Sequence, residues 1–72
     1  MKKVYRLQDL DCAHCAQKIE DGIRAIPGVT GVSVNFLAQK LTLEADDAAF
    51  DTVLRQAVKT ARRIEPDCTI VL

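Results

Sequence analysis

Aromatic residues are scarce in this chain, which has no tryptophan, one tyrosine and two phenylalanines among 72 residues. Tyr5, Phe36 and Phe50 suit core positions and are too few for the stacking platform of an RNA-binding protein. Excess charge is missing as well, because ten Lys and Arg offset ten Asp and Glu. No global field recruits nucleic acid or an anionic membrane, so neither is expected as a partner. No apolar run approaches the roughly 20 residues that cross a bilayer, and no direct membrane insertion is expected. After the basic start Met1-Lys2-Lys3, the residues Arg6, Asp9 and Asp11 interrupt the apolar stretch that a secretion signal would need. A chain this short can bury one modest core but not two, which makes residues 1–72 a single expected domain without a roomy substrate cavity. Linkers and low-complexity segments are absent.

Cysteine is present in an odd number, three, and two of them stand too close in sequence to staple distant elements. This excludes the disulfide framework of a small secreted protein and fits reduced thiols in the cytoplasm.

What the chain does have is clear periodicity. Val4 to Leu10 reads as a strand, with Tyr5 and Leu7 on one face and Arg6 and Gln8 on the other, ended by Asp9 to Asp11. Ala16, Ile19, Ile23 and Ile26 form the apolar stripe of a helix from about Ala13 to Ile26, stopped by Pro27-Gly28. Val32, Val34 and Phe36 alternate with polar or small residues. Leu37-Ala38-Gln39 turns the chain, and Leu41 and Leu43 alternate again, which predicts a hairpin. A second helix, capped by Asp46 or Asp47, carries Phe50, Val53, Leu54, Ala57, Val58 and Ala61 on its apolar face. Lys59, Arg62 and Arg63 lie in or just after its last turn, where positive charge complements the helix dipole. Pro66-Asp67 then leads to a β-rich run from Cys68 to Leu72. The order is βαββαβ. With right-handed crossovers it predicts an α+β, ferredoxin-like open-faced sandwich, a four-stranded antiparallel sheet with both helices on one face.

The chemistry concentrates in Asp11-Cys12-Ala13-His14-Cys15-Ala16. At a helix start, positions three apart share a face, with Cβ atoms about 5–6 Å apart. Two sulfurs can then converge on one ion at metal–thiolate bonds of about 2.3 Å. Unpaired N–H groups and the positive end of the dipole favour the thiolate there, and Cys15, inside the first turn, should benefit most. The same motif also describes a thiol redox module working through a Cys12–Cys15 disulfide. A thioredoxin-like fold, however, needs more strands and a proline loop facing the thiols. A c-type haem needs His after the second Cys, where this chain has Ala16. Zinc-finger and iron–sulfur sites want four ligands in recognisable spacing.

The element order with a CxxC at the first strand–helix junction resembles the heavy-metal-associated domain over nearly the whole chain. That family includes copper chaperones, a mercury-binding protein and N-terminal modules of metal-transporting P-type ATPases. Its copper members usually carry Gly-Met-x-Cys-x-x-Cys, whereas this chain has Asp9 and Leu10 at the glycine and methionine positions. Copper modules also tend to carry Gly followed by Tyr, Phe or Lys after the second helix, where Ala61-Arg62-Arg63 stands here. Asp directly before the first Cys looks like the ATPases that export zinc, cadmium and lead. The resemblance implies a metal site of Cys12, Cys15 and Asp11 for Zn(II), Cd(II) or Pb(II), with Cu(I) less favoured. The donor chemistry agrees, because a hard carboxylate added to two thiolates suits a divalent ion of higher coordination number. It further implies a non-catalytic, monomeric, cytoplasmic module, the N-terminal part of a metal-exporting P-type ATPase or alternatively a Cu(I) or general metallochaperone of the same fold. Such a module passes its ion to or from a protein partner, such as the membrane part of an ATPase or a chaperone.

Each of these residues has a plainer use. Asp11 is either a ligand or simply the N-cap of the first helix. His14 should point away from the face that the cysteines share. Cys68 shares the parity of Ile70 and Leu72 and reads as a small buried hydrophobe. Lys59, Arg62 and Arg63 read as a solvated helix end or, alternatively, as a partner contact.

Overall fold

In the computed structural model, which describes residues 1–72, six elements follow one another: β1 (Lys2–Gln8), α1 (Ala13–Arg24), β2 (Val29–Asn35), β3 (Lys40–Ala45), α2 (Phe50–Ile64) and β4 (Thr69–Val71). The strands form one antiparallel sheet in the order β2-β3-β1-β4. This is the expected ferredoxin-like sandwich. Its register matters for function. Gln8 pairs with Thr69 and Arg6 with Val71, so β4 begins at the end of the sheet where β1 finishes. The β1–α1 loop and the α2–β4 turn are thereby brought to the same end of the molecule.

The period-2 and helical stripes meet in one core. Leu41 and Leu43 from β3, and Ile19 and Ile23 from α1, are fully enclosed. Burying each of these side chains contributes about 1.5–3 kcal/mol. From α2 the buried residues are Phe50, Val53, Ala57, Thr60 and Ala61, while Leu54 and Val58 lie half-buried on its flank. The helix is thus rolled slightly from the face that its apolar residues alone predict. The roll puts Thr60 beside α1, where a Cβ on Gly22 would stand 2.9 Å from Thr60 Cγ2 and 2.8 Å from Ile64 Cδ1. A side chain at Gly22 would hold the helices apart.

Two local expectations are corrected. The first strand ends at Gln8 and not at Leu10, because Asp9 turns the chain with φ 62, a left-handed conformation that Asp tolerates better than most residues. Leu10 lies beyond the ladder yet is only 3% exposed, pinned into the core. Second, neither Asp46 nor Asp47 caps α2 with its side chain. The N-cap is Ala49, and the two aspartates accept through main-chain carbonyls, from Ala49 and Phe50 respectively. The Asp47 carboxylate instead pairs with the N-terminal ammonium at 3.0 Å.

Candidate metal centre

With Leu10 buried in the core, the chain emerges at Asp11 and Cys12, both exposed, before α1 begins at Ala13. Cys12 is the N-cap, with extended backbone angles (φ −131, ψ 124), and its Sγ accepts from the Cys15 N–H at 3.4 Å. A sulfur therefore takes the place that a Ser or Asp oxygen commonly fills at a helix start. Asp11 stands one residue too early for that task, so the capping role considered for it falls to Cys12. His14 is exposed on the first turn, whereas Cys15, on the inner side, packs against the core.

The helix start treats its thiols unequally, and in the order opposite to the one expected. Cys12 is lowered from the ordinary thiol range, first by the Cys15 N–H, then by the Cys15 thiol and the His14 N–H, all of which donate to its sulfur. Cys15 is pushed up to about 11, first because its proton is held by Cys12 and then because it is held by the Glu65 carboxylate. Position in the first turn is thus outweighed by which sulfur receives the donors. Cys68 is buried at 3% exposure. Burial raises its pKa, and the charges of Glu65, Asp9 and Asp11 raise it further. It behaves as the small core residue that its parity predicts.

Glu65 is the residue that sequence reasoning does not single out. It is the C-cap of α2, half-buried, with its N–H donating to the Ala61 carbonyl at 2.8 Å. A signal for it does exist. The antiparallel return of β4 beside β1 brings the whole α2–β4 turn to the thiols, and Glu65 with it. The structure brings Cys12 and Cys15 together and puts Glu65 against them. No third His, Cys, Asp or Glu joins the thiols in a preassembled three-donor cluster, and Asp11 stands beside the pair rather than within such a set. The arrangement is a pair of soft donors, one already inclined to the thiolate, on an exposed loop flanked by carboxylates.

Comparison with known proteins identifies the family. The profile of the heavy-metal-associated domain matches residues 4–66. The cadmium, zinc and cobalt-transporting ATPase of Bacillus subtilis is 40% identical over 70 residues, covering 97% of this chain and 10% of the ATPase. The zinc/cadmium/lead-transporting P-type ATPase of Escherichia coli is 36% identical over 56 residues, covering 74% of this chain and 8% of the ATPase. The chain thus spans about a tenth of the length of these relatives. Among solved structures, the CopZ metallochaperone superposes with a TM-score of 0.78 at 20% identity, covering 99% of this chain and 100% of that one. The N-terminal domain of the copper(I) ATPase PacS superposes with a TM-score of 0.77 at 22% identity, covering 100% of this chain and 92% of that one. At such identities the likeness speaks for the fold alone.

Proposed function

The chain belongs to the heavy-metal-associated domain family, and from that premise we propose that it binds a soft divalent ion, Zn(II), Cd(II) or Pb(II), between the sulfurs of Cys12 and Cys15, with Asp11 assisting. The observation that carries this reading is the thiol pair of exposed Cys12 and half-buried Cys15, with the Cys12 pKa lowered and carboxylates on either side. Two thiolates alone satisfy a linear Cu(I) ion. Neighbouring carboxylates add hard, negatively charged donors of the kind a divalent ion of higher coordination takes up. Leu10, at the position where copper members carry methionine, is buried and offers no donor.

Binding and transfer, rather than catalysis, is the activity. The ion is cargo: it arrives by displacing the Cys15 proton and leaves when a partner's thiolate enters the open side of the loop before one of these sulfurs lets go. The context that best fits the relatives is the cytoplasmic N-terminal module of a metal-exporting P-type ATPase. No helix of this chain is long and apolar enough to cross a membrane.

The inverted thiol pair favours a second reading, a redox module in which the Cys12 thiolate forms a reversible disulfide with Cys15. The two readings separate in titrations of the reduced protein. The metal reading expects stoichiometric Cd(II) or Zn(II) binding that vanishes in a Cys12→Ser, Cys15→Ser double variant. Divalent binding no tighter than to a free dithiol would sink it.

A further inference from the structure

From the β2–β3 turn, a side chain far away in sequence reaches the entrance of the thiol loop. Gln39 Oε1 accepts from the Leu10 N–H at 3.2 Å, and Gln39 Nε2 donates to the Leu10 carbonyl at 2.8 Å. The same Nε2 donates to the Phe36 carbonyl at 2.8 Å, which anchors the amide to its own turn. Its orientation is fixed by these partners. Exchanging oxygen and nitrogen would set N–H against N–H at Leu10 and oxygen against two carbonyls. The main chain of Gln39 joins in, since its carbonyl accepts from the Leu7 N–H at 2.7 Å. Gln39 thus holds both ends of the segment Leu7 to Leu10, which contains the left-handed Asp9 and lies past the last ladder pair of β1 with β3, Arg6 with Lys40. Gln39 itself sits at φ 55, a conformation that a non-glycine residue adopts at some cost.

Resting on the metal-binding reading above, we propose that Gln39 is a positioning residue for the metal loop. Its side-chain amide acts as a substitute strand edge that fixes the peptide groups on both sides of Leu10. The second of these, Leu10–Asp11, sets the direction in which Asp11 and Cys12 leave the core. The loop is thereby arranged before an ion arrives, and ordering it costs less on loading. Partners that orient metal ligands without touching the ion typically change affinity by about 10–100-fold.

The test compares the wild type with Gln39→Met, which keeps the length and removes every polar contact, and with Gln39→Glu, which keeps the acceptor and loses both donors. Cd(II) affinity is measured by chelator competition, and amide exchange is measured on the metal-free protein. Gln39→Met is expected to weaken Cd(II) binding by about tenfold and to speed exchange at Leu10 selectively, with the Ile19 and Leu41 amides still protected. A contact that only stabilises the fold would speed exchange evenly and leave the affinity of folded protein unchanged. Affinity for Gln39→Met within about twofold of wild type would overturn the proposal. If Gln39→Met does not fold, Gln39→Glu decides on the same criterion, because it turns a second oxygen towards the Leu10 and Phe36 carbonyls. A wild type that binds no Cd(II) would defeat the metal reading itself, and the positioning role with it. Exchange at Leu10 would then still show whether the clamp orders the loop.

Discussion

At Cys12 the unpaired N–H groups of a helix start converge on a sulfur, and one turn later Cys15 keeps its proton and donates it in hydrogen bonds to that sulfur and to Glu65. Two consequences can be measured. In the metal-free protein, alkylation by a thiolate-specific reagent should modify Cys12 first across neutral pH. Mass mapping that finds Cys15 modified first would contradict the ordering. Loading an ion must also expel the Cys15 proton, because that thiol stays protonated until pH approaches about 11. Affinity should therefore rise with pH between neutrality and that value, by about tenfold per pH unit for each proton released. Chelator competition at several pH values checks the slope, and a flat profile would mean that Cys15 is not a ligand. Asp11→Ala is expected to leave thermal stability unchanged, because Cys12 caps the helix, and to reduce the preference for Cd(II) over Cu(I). An unaltered preference would remove Asp11 from the ion's surroundings. Cys68→Ala should retain full metal affinity, as befits a thiol enclosed in the core.

The elements place these residues through contacts that the sequence shows only in part. All four strands and both helices are legible from periodicity, since Leu41, Leu43, Ile19 and Ile23 fall where alternation and the 3.6-residue stripe put them. The caps are less legible. Asp46 and Asp47 have the chemistry of an N-cap, but α2 begins at Phe50 after a turn closed by their carbonyls. Nor does local pattern reveal which sulfur receives the hydrogen-bond donors, to which Glu65 adds a second acceptor from α2, or the hold of Gln39 on Leu10, which spans 29 residues. Gly22 is a similar case, since nothing local shows that it is the close approach of α1 to α2. Gly22→Ala should destabilise the fold by about 1–3 kcal/mol from overpacking, more than the gain in helix propensity of about 1 kcal/mol. Denaturant unfolding checks this, and a stabilised variant would show that α2 yields easily.

Across the whole molecule, balanced charge conceals an uneven distribution. Asp9, Asp11 and Glu65 all bear on the end that holds the three thiols, closely enough to raise the pKa of buried Cys68. Arg62 and Arg63 lie on the last turn of α2, leading to the same turn. On the proposed reading, the carboxylates around the thiols suit a divalent cation, with the two arginines close behind them. The sheet order makes that end, because β4 returns beside β1 and joins two loops that are more than 50 residues apart in sequence. The fold therefore acts as a rigid frame for one short loop. The most direct test of that account is titration of the reduced protein with Cd(II), Zn(II) and Cu(I) against competing chelators, beside the Cys12→Ser, Cys15→Ser double variant. Stoichiometric divalent binding in the wild type and none in the double variant is the predicted result. Equal divalent binding by both would contradict it.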